Sequence, residues 1–532
     1  MRPVSAHALL CAMMDLSHFE PLSAAELKLI AEVDLPNRTV LSSGTLPEAC
    51  DGDVHIRADL IRYLLLSDSL HDKGIRIRGA WITGALDLQG CDSARDISLS
   101  ACHVVEPLNL INASLRGLHI SGCRLAGVNA DNATFSGSLY IRAGTRISGE
   151  VDLSGAEIGG DLQVCDAIIE SKTQDAIFAP SIRVRGSVFL GNYPYADGNT
   201  TLVVTGQIFM SSARIEHDLF LTNTSITLND VGVMGAVFGA TEEHGSDIAF
   251  SLARAQIQGI LFLKANQISR GIFNLAGAHV ERLKDEPVGP GAAYPIRLDG
   301  LTYVDFSRHA ETDVKSRLDW LARKPENMPF TAQPYEQLAY VMGRMGHRAD
   351  ASTVLMHKER LLKAENRRLA AESGGFVGWR AIAWFNDLFL RCTIGYGFRP
   401  ARAIVVAVLL ILALGWFFDR TWQAGDMAPN AAPILVSQGW VSATRTHPDN
   451  PAAFWAAPGE AGQDWETFNA YAYAADLVVP IVQLGQESAW APSTSRSEWG
   501  RLGWWMRWIA KAIGWIVTAL AAAAITGLIR ND

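Results

Sequence analysis

The sequence predicts a mainly β protein. A right-handed parallel β-solenoid is expected, with a helical cap before it, a helical linker after it and two C-terminal transmembrane helices. Three observations carry this reading. Apolar pairs of the form Ile75-x-Ile77 return about every eleven residues, a small side chain follows five residues after the start of each pair, and two long uncharged apolar runs lie near the C-terminus.

The pairs come first. Ile75-x-Ile77 is followed by Leu86-x-Leu88, Ile97-x-Leu99, Leu108-x-Leu110, Leu118-x-Ile120, Leu139-x-Ile141, Val151-x-Leu153 and Leu162-x-Val164. Alternate side chains of an extended chain face the same way, so each pair reads as a short strand with one apolar face. Such strands are too short for an ordinary sheet, but stacked at a fixed repeat each buries its face on the coils above and below. The reading is two eleven-residue phrases per coil, with coils about 4.8 Å apart. Ala80, Cys91, Cys102, Ala113, Cys123, Ala133, Ala156 and Ala167 fill the small slot, where the chain turns. Glycines such as Gly84, Gly117, Gly127, Gly137 and Gly160 are expected to relieve the backbone at the corners.

The phrase Leu-x-Leu-x-x-Ala-x-Leu-x-Gly resembles a loosened pentapeptide repeat. Gly149-Glu-Val-Asp-Leu-Ser-Gly-Ala-Glu-Ile-Gly-Gly-Asp-Leu162 and Arg185-Gly-Ser-Val-Phe-Leu190 resemble a bacterial family of membrane-anchored repeat proteins, also labelled membrane-associated oxidoreductases. The resemblance extends to Gly395-Tyr-Gly-Phe-Arg-Pro400 and to the stretch from Asp476 to Glu487. It implies a membrane-anchored solenoid. The oxidoreductase activity in the label comes with no motif in this chain.

In order, residues 1–74 read as a helical cap, since Ser23 and Glu26 form a capping box and Ile56, Leu60, Tyr63 and Leu64 share a helix face over 55–66. The solenoid is expected over 75–285, with loops projecting at 166–182, 191–201 and 229–247. Helices follow in a linker over 308–397, namely one through Trp320, one from Pro334 and a charged one over 348–372. Residues 376–389 read as an amphipathic helix lying on a membrane surface. The first transmembrane helix is expected over 398–418, a loop over 419–506, and the second helix over 507–529. The uncharged stretch 403–418 gives about 24 Å of helix, and Arg402 can snorkel to extend it. Trp379, Trp384, Trp504, Trp505 and Trp508 read as membrane-interface residues.

Net charge is −9 without a basic run, which argues against nucleic acid as a partner. The N-terminal stretch has no sustained apolar core of the signal-peptide kind. With a slight excess of Arg beside the spans, this places the protein in the inner (cytoplasmic) membrane, multi-pass, with the solenoid in the cytosol. The thirteen His show no HExxH or HxxxH spacing, and no GxSxG or Walker loop is present, so no catalytic, cofactor-binding or metal-binding residue is nominated. Cys91, Cys102 and Cys123 read as small buried fillers. A thiol pair or metal site is the alternative, and no Cys-x-x-Cys spacing supports it. Asp476, Gln483, Gln486 and Glu487 are the candidate membrane-path residues, being polar within an apolar inter-span stretch.

The function expected is a membrane-anchored scaffold that presents a rigid solenoid to a protein partner, with the lipid bilayer as its second partner and no cofactor. An oligomeric two-span channel or transport-like protein is the alternative. An oxidoreductase, implied by the resemblance alone, is third.

Overall fold

Leu118 and Ile120 pair in parallel with Leu139 and Ile141, and these in turn with Leu162 and Val164. The structure, a computed structural model, describes residues 16–67, 70–193, 200–229, 247–286, 294–325, 328–372, 384, 387–393, 395, 396, 398 and 401–525. They fall into two units, Met1–Val354 and Leu355–Asp532.

The first unit is a parallel β-solenoid of about ten turns. Each regular coil has four sides. One coil passes from Ser114–Ser121 through Arg124–Leu125, Val128–Asn129 and Thr134–Phe135 before Leu139–Arg142 opens the next. Leu118, Leu125, Val128 and Phe135 point inward from the four sides and are all buried. Each such side chain contributes on the order of 2 kcal/mol, which is how strands of two residues persist. Leu153 and Val164 are fully buried, as the apolar pairing requires.

Glycine relieves part of the corners, as expected: Gly84 has a φ of 80°, and Gly79, Gly90, Gly122 and Gly155, each just before a small-slot residue, also have positive φ, while other residue types take that place elsewhere. The residue just before the small slot has a positive φ: Asn112 at 53° before Ala113, Asn132 at 52° before Ala133 and Asp166 at 49° before Ala167. Asn and Asp tolerate this left-handed conformation better than most residues. Gly137 serves another purpose. A Cβ there would lie 2.9 Å from the carbonyl oxygen of Arg116 on the preceding coil, so its role is close approach between coils.

Coil length varies along the stack. Successive partners in one column stand 21 residues apart from Ile97 to Leu118 and again to Leu139. The spacing grows to 23 at Leu162, 26 at Val188, 31 at Leu219 and 42 at Leu261, then returns to 22 at Leu283. The loop expected at 166–182 is instead mostly strand, Ala167–Phe178, paired with Leu202–Phe209. Ala167, Ile169 and Ile177 keep the inward pattern, and the surplus residues between Glu170 and Asp175 are absorbed as a register shift. Residues 194–199 and 230–246, within the other two expected loops, lie outside the described residues.

The solenoid exceeds the expected 75–285 at both ends. Thr39–Val40 and His55–Arg57 already pair with its first coil, and Thr302–Phe306 pairs beyond Lys284. The cap helices are α1 (Ala24–Ala31) and α2 (Ala58–Leu66), and the Ser23–Glu26 capping box is formed. At the other end α3 (Val314–Leu321) and α4 (Gln333–Arg344) close the last coil. Gln333 Nε2 donates to the Leu301 carbonyl at 2.9 Å and Gln337 Nε2 to that of Tyr303 at 2.6 Å. These bonds satisfy backbone acceptors that a bare solenoid end would leave open. The residues read as a spacer are therefore also the C-terminal cap. α5 (Arg348–Glu372) follows.

In the second unit two helices are long and apolar enough to cross a membrane, α6 (Ala401–Gln423) and a last one. The expected loop at 419–506 is folded. It contains α7 (Ala432–Leu435), α8 (Gln438–Thr446), α9 (Pro451–Trp455), α10 (Ala470–Val478), α11 (Gln486–Ala489) and an antiparallel pair of strands, Met427–Pro429 with Trp490–Pro492. The last helix is α12 (Glu498–Ile525). Trp440, Trp455, Tyr473, Leu477 and Trp490 from this segment share a core with Leu414 and Phe418 of α6 and Ala510 of α12. α6 thus extends beyond the expected 398–418, because Phe418 and Thr421 are buried against the inter-span segment. α12 begins before the expected 507, because the Asp426 carboxylate accepts from the backbone N–H of Ser497 at 3.1 Å and of Gly500 at 3.0 Å.

Candidate functional site

Within the second unit, a cavity of about 600 Å³ gathers three of the four candidate path residues, Asp476, Gln483 and Glu487. Its walls come from Asn430, from the end of α10 and the segment after it, and from Arg507, Lys511 and Trp515 of α12.

The local sequence builds the loop-side wall. Asn469 caps α10 by accepting from Tyr471 N at 3.1 Å and Ala472 N at 3.0 Å. Pro480 follows the end of α10, where a helix is hard to continue. The chain then returns on the Asp476 carboxylate, which accepts from Leu484 N at 2.6 Å and Glu487 N at 3.1 Å. Gly485, at φ 84°, makes the turn into α11. Asp476 therefore organises the backbone of the wall as well as lining the cavity.

Gln486 is a structural residue. Its Oε1 accepts from Asn469 N at 2.9 Å, and its Nε2 donates to Glu466 Oε1 at 3.0 Å and to the Thr467 carbonyl at 2.9 Å. It is buried and does not line the cavity. Gln483 is exposed on the rim.

Glu487 is the electrostatic centre. Arg507 donates to its Oε1 from Nη2 at 2.8 Å and from Nε at 3.2 Å, and Lys511 Nζ pairs with the same oxygen. Burial raises its pKa, but Lys511 and Arg507 outweigh burial and hold the carboxyl below the usual glutamate range. At neutral pH it is an anion between two cations. That makes it a poor proton donor and a good organiser of charge.

The sequence reading passed over Lys511 and counted Arg507 only toward topology. The signal was their spacing, since residues four apart share a helix face. Close approach of the two walls depends on Gly514. A Cβ there would stand 2.5 Å from the Val478 carbonyl oxygen and 2.8 Å from that of Leu477.

Five Trp residues are expected at a membrane interface. Trp504, Trp505 and Trp508 lie on α12 and are exposed, with Trp504 edge-on to Trp505 at 5.0 Å. Trp384 is exposed, and Trp379 lies outside the described residues.

A second concavity, of about 550 Å³, lies on the solenoid itself. Thr134, Glu157, Arg183, Arg214 and Gln256 stand in register on successive coils along it. Arg183 Nη1 meets Glu157 Oε1 at 2.9 Å. Gly159 also lines it, where a Cβ would clash with the Ser136 carbonyl oxygen of the preceding coil.

The small slot divides into two corners. Cys91 lines up with Ala113 at one, while Cys102, Cys123 and Thr145 stack at the other. There the Cys102 N–H donates to Cys123 Sγ at 3.3 Å and the Cys123 N–H to Thr145 Oγ1 at 3.4 Å. Among the described residues no group of three or more His, Cys, Asp or Glu is placed to hold a metal ion.

Compared with known protein families, curated proteins and solved structures, the chain gives no match.

Proposed function

We propose that the chain is a membrane-anchored scaffold whose β-solenoid presents rows of side chains to a protein partner. The observation that carries this is the concave row Glu157, Arg183 and Arg214, which repeats at the coil spacing on a backbone fixed by ladders on both sides. A surface of evenly spaced charges on a stiff frame suits an extended partner with complementary charge. Anchoring rests on α6 and α12, about 35 Å and about 39 Å long over their apolar spans of 23 and 26 residues. Ile404, Val405, Leu409 and Leu412 on α6, and Ile509 and Ile516 on α12, are exposed apolar residues of the kind a bilayer covers. The inner membrane and a cytosolic solenoid complete the proposal.

The test is capture from detergent-solubilised membranes with the full chain as bait. Arg183→Gln with Arg214→Gln removes two exposed charges and one exposed ion pair, and should change stability by about 1 kcal/mol or less. Loss of a specific captured protein in that variant supports the scaffold. Identical capture by variant and parent removes the row from the account.

An oligomeric two-span channel is the second reading, favoured by the meeting of Asp476, Gln483 and Glu487 at one cavity beside α12. Reconstituted single-channel recording distinguishes it: conductance altered by Glu487→Gln supports it, and silent bilayers oppose it.

A further inference from the structure

We propose that the cavity between α12 and the end of α10 with the segment that follows it binds the headgroup of a zwitterionic aminophospholipid, taking the phosphate at Lys511 and Arg507 and the ammonium toward Asp476 and Gln483. This inference rests on the membrane reading above.

Charge placement is the first ground. Arg507 and Lys511 stand four residues apart on α12 and share one carboxylate, Glu487. The helix side of the cavity therefore carries one cation in excess. Arg507 uses Nε and Nη2 on Glu487, and its Nη1 has no hydrogen-bond partner among the described residues. Lys511 is about one-third exposed, at 35%. A phosphate oxygen is the acceptor that such donors lack, and charge-assisted bonds to it are short and strong.

On the loop side Asp476 supplies the balancing negative charge, and Gln483 offers an amide oxygen on the rim. The four charges sum to zero, with their poles on opposite walls. A simple anion would leave one wall uncompensated. A phosphate joined to an ammonium by a short linker compensates both.

Position is the second ground. The uncharged run of α12 begins at Ala512, directly after Lys511. Trp515, 63% exposed, lines the cavity, and Ile481, Val482 and Leu484 beside it are exposed apolar residues, Ile481 at 81%. Cations and Trp where an apolar run begins mark the layer in which lipid headgroups lie. A cavity of about 600 Å³ has room for a headgroup, and the exposed apolar rim suits the start of the acyl chains.

The shared chemistry is a phosphate ester, so the experiment must separate lipid from soluble phosphate. The delipidated full chain in detergent is titrated with short-chain phosphatidylethanolamine while Trp fluorescence is followed. Parallel titrations use phosphatidylglycerol of the same chain length, glycerophosphoethanolamine and inorganic phosphate. Saturable binding is expected for phosphatidylethanolamine and weakened roughly tenfold by Lys511→Gln, the scale of one charge-assisted hydrogen bond. Should Lys511→Gln fail to fold, Trp515→Ala serves. Its side chain is exposed, so its loss spares the core, and binding followed by lipid extraction and counting should weaken.

Equal binding of phosphatidylglycerol overturns the zwitterion assignment. Binding of inorganic phosphate as tight as that of lipid overturns the lipid. Binding unchanged in both variants overturns the site. A chain that leaves membranes in alkaline carbonate fails at the earlier, membrane reading, and that outcome is scored separately.

Discussion

Arg317 Nη1 lies 2.7 Å from Asp285 Oδ1, a buried ion pair that joins the last turns of the solenoid to α3. Arg317 Nε also donates to the Glu311 carbonyl at 2.6 Å, and its guanidinium lies 4.3 Å from the Phe306 ring centroid. The sequence placed Asp285 at the end of the solenoid, whereas the ladders continue past it to Phe306.

Removing one member of this pair leaves a buried charge alone. Arg317→Met is expected to cost about 3–5 kcal/mol, while Asp285→Leu with Arg317→Met recovers most of that loss. Urea unfolding of the detergent-solubilised chain measures both. A single variant within about 1 kcal/mol of the parent would contradict the pairing.

The two corners predict different tolerance at the cysteines. Cys91→Ala enters a column already occupied by Ala113 and should cost about 1 kcal/mol or less. Cys123→Ala deprives the buried Cys102 N–H of its acceptor and should cost about 1–3 kcal/mol. Cys123→Ser, which keeps an acceptor, should recover part of it. Equal costs for Cys91→Ala and Cys123→Ala would refute the corner ladder.

Leu153 is fully buried in its column. Leu153→Asp places a carboxylate there without a partner, at a cost of about 3 kcal/mol or more. Circular dichroism during thermal melting reads it, and an unchanged melt would mean that the side chain faces outward.

Acid should loosen the N-terminal cap. Burial raises the Glu26 pKa, but Arg57 and the backbone N–H groups of Ser23 and Arg57 outweigh it, so the carboxyl is held below its ordinary 4.5. A depressed folded value means that this stability is fully present above the unfolded pKa and is lost as pH falls through the folded one. Stability measured from pH 6 downward should therefore decline below about pH 4.5, and Glu26→Gln should lose stability at neutral pH and flatten that part of the profile. A parent profile already flat there would contradict it.

What could be read in the sequence was what repeats. Leu118, Leu139 and Leu162 occupy one column because each opens an apolar pair of alternate residues, and that pair is kept although the coil spacing changes from 21 to 23 residues. The turn residues were harder to read. Ala101, Asn112, Gly155 and Asp166 share a left-handed backbone conformation and no common side chain, so no single residue type marks the corner. The bulge after Glu170 was missed because surplus residues inside a strand look like a loop. At the cavity, Asp476 and Glu487 stood out as charges in an apolar stretch. Lys511 did not, because its partner Glu487 is distant in sequence and only the return of the chain onto Asp476 brings them together.

The most direct measurement is site-specific thiol labelling in intact cells, combined with alkaline carbonate extraction. Single cysteines replace the exposed Gln438, between the two long helices, and the exposed Gln89, on the solenoid, in a background with its native cysteines replaced. An impermeant maleimide is expected to label Gln438→Cys in intact cells and Gln89→Cys only after lysis, with the chain retained in the carbonate pellet. Release of the chain by carbonate, or equal labelling of both positions in intact cells, would contradict a two-span anchor with the solenoid on the opposite side from the inter-span segment.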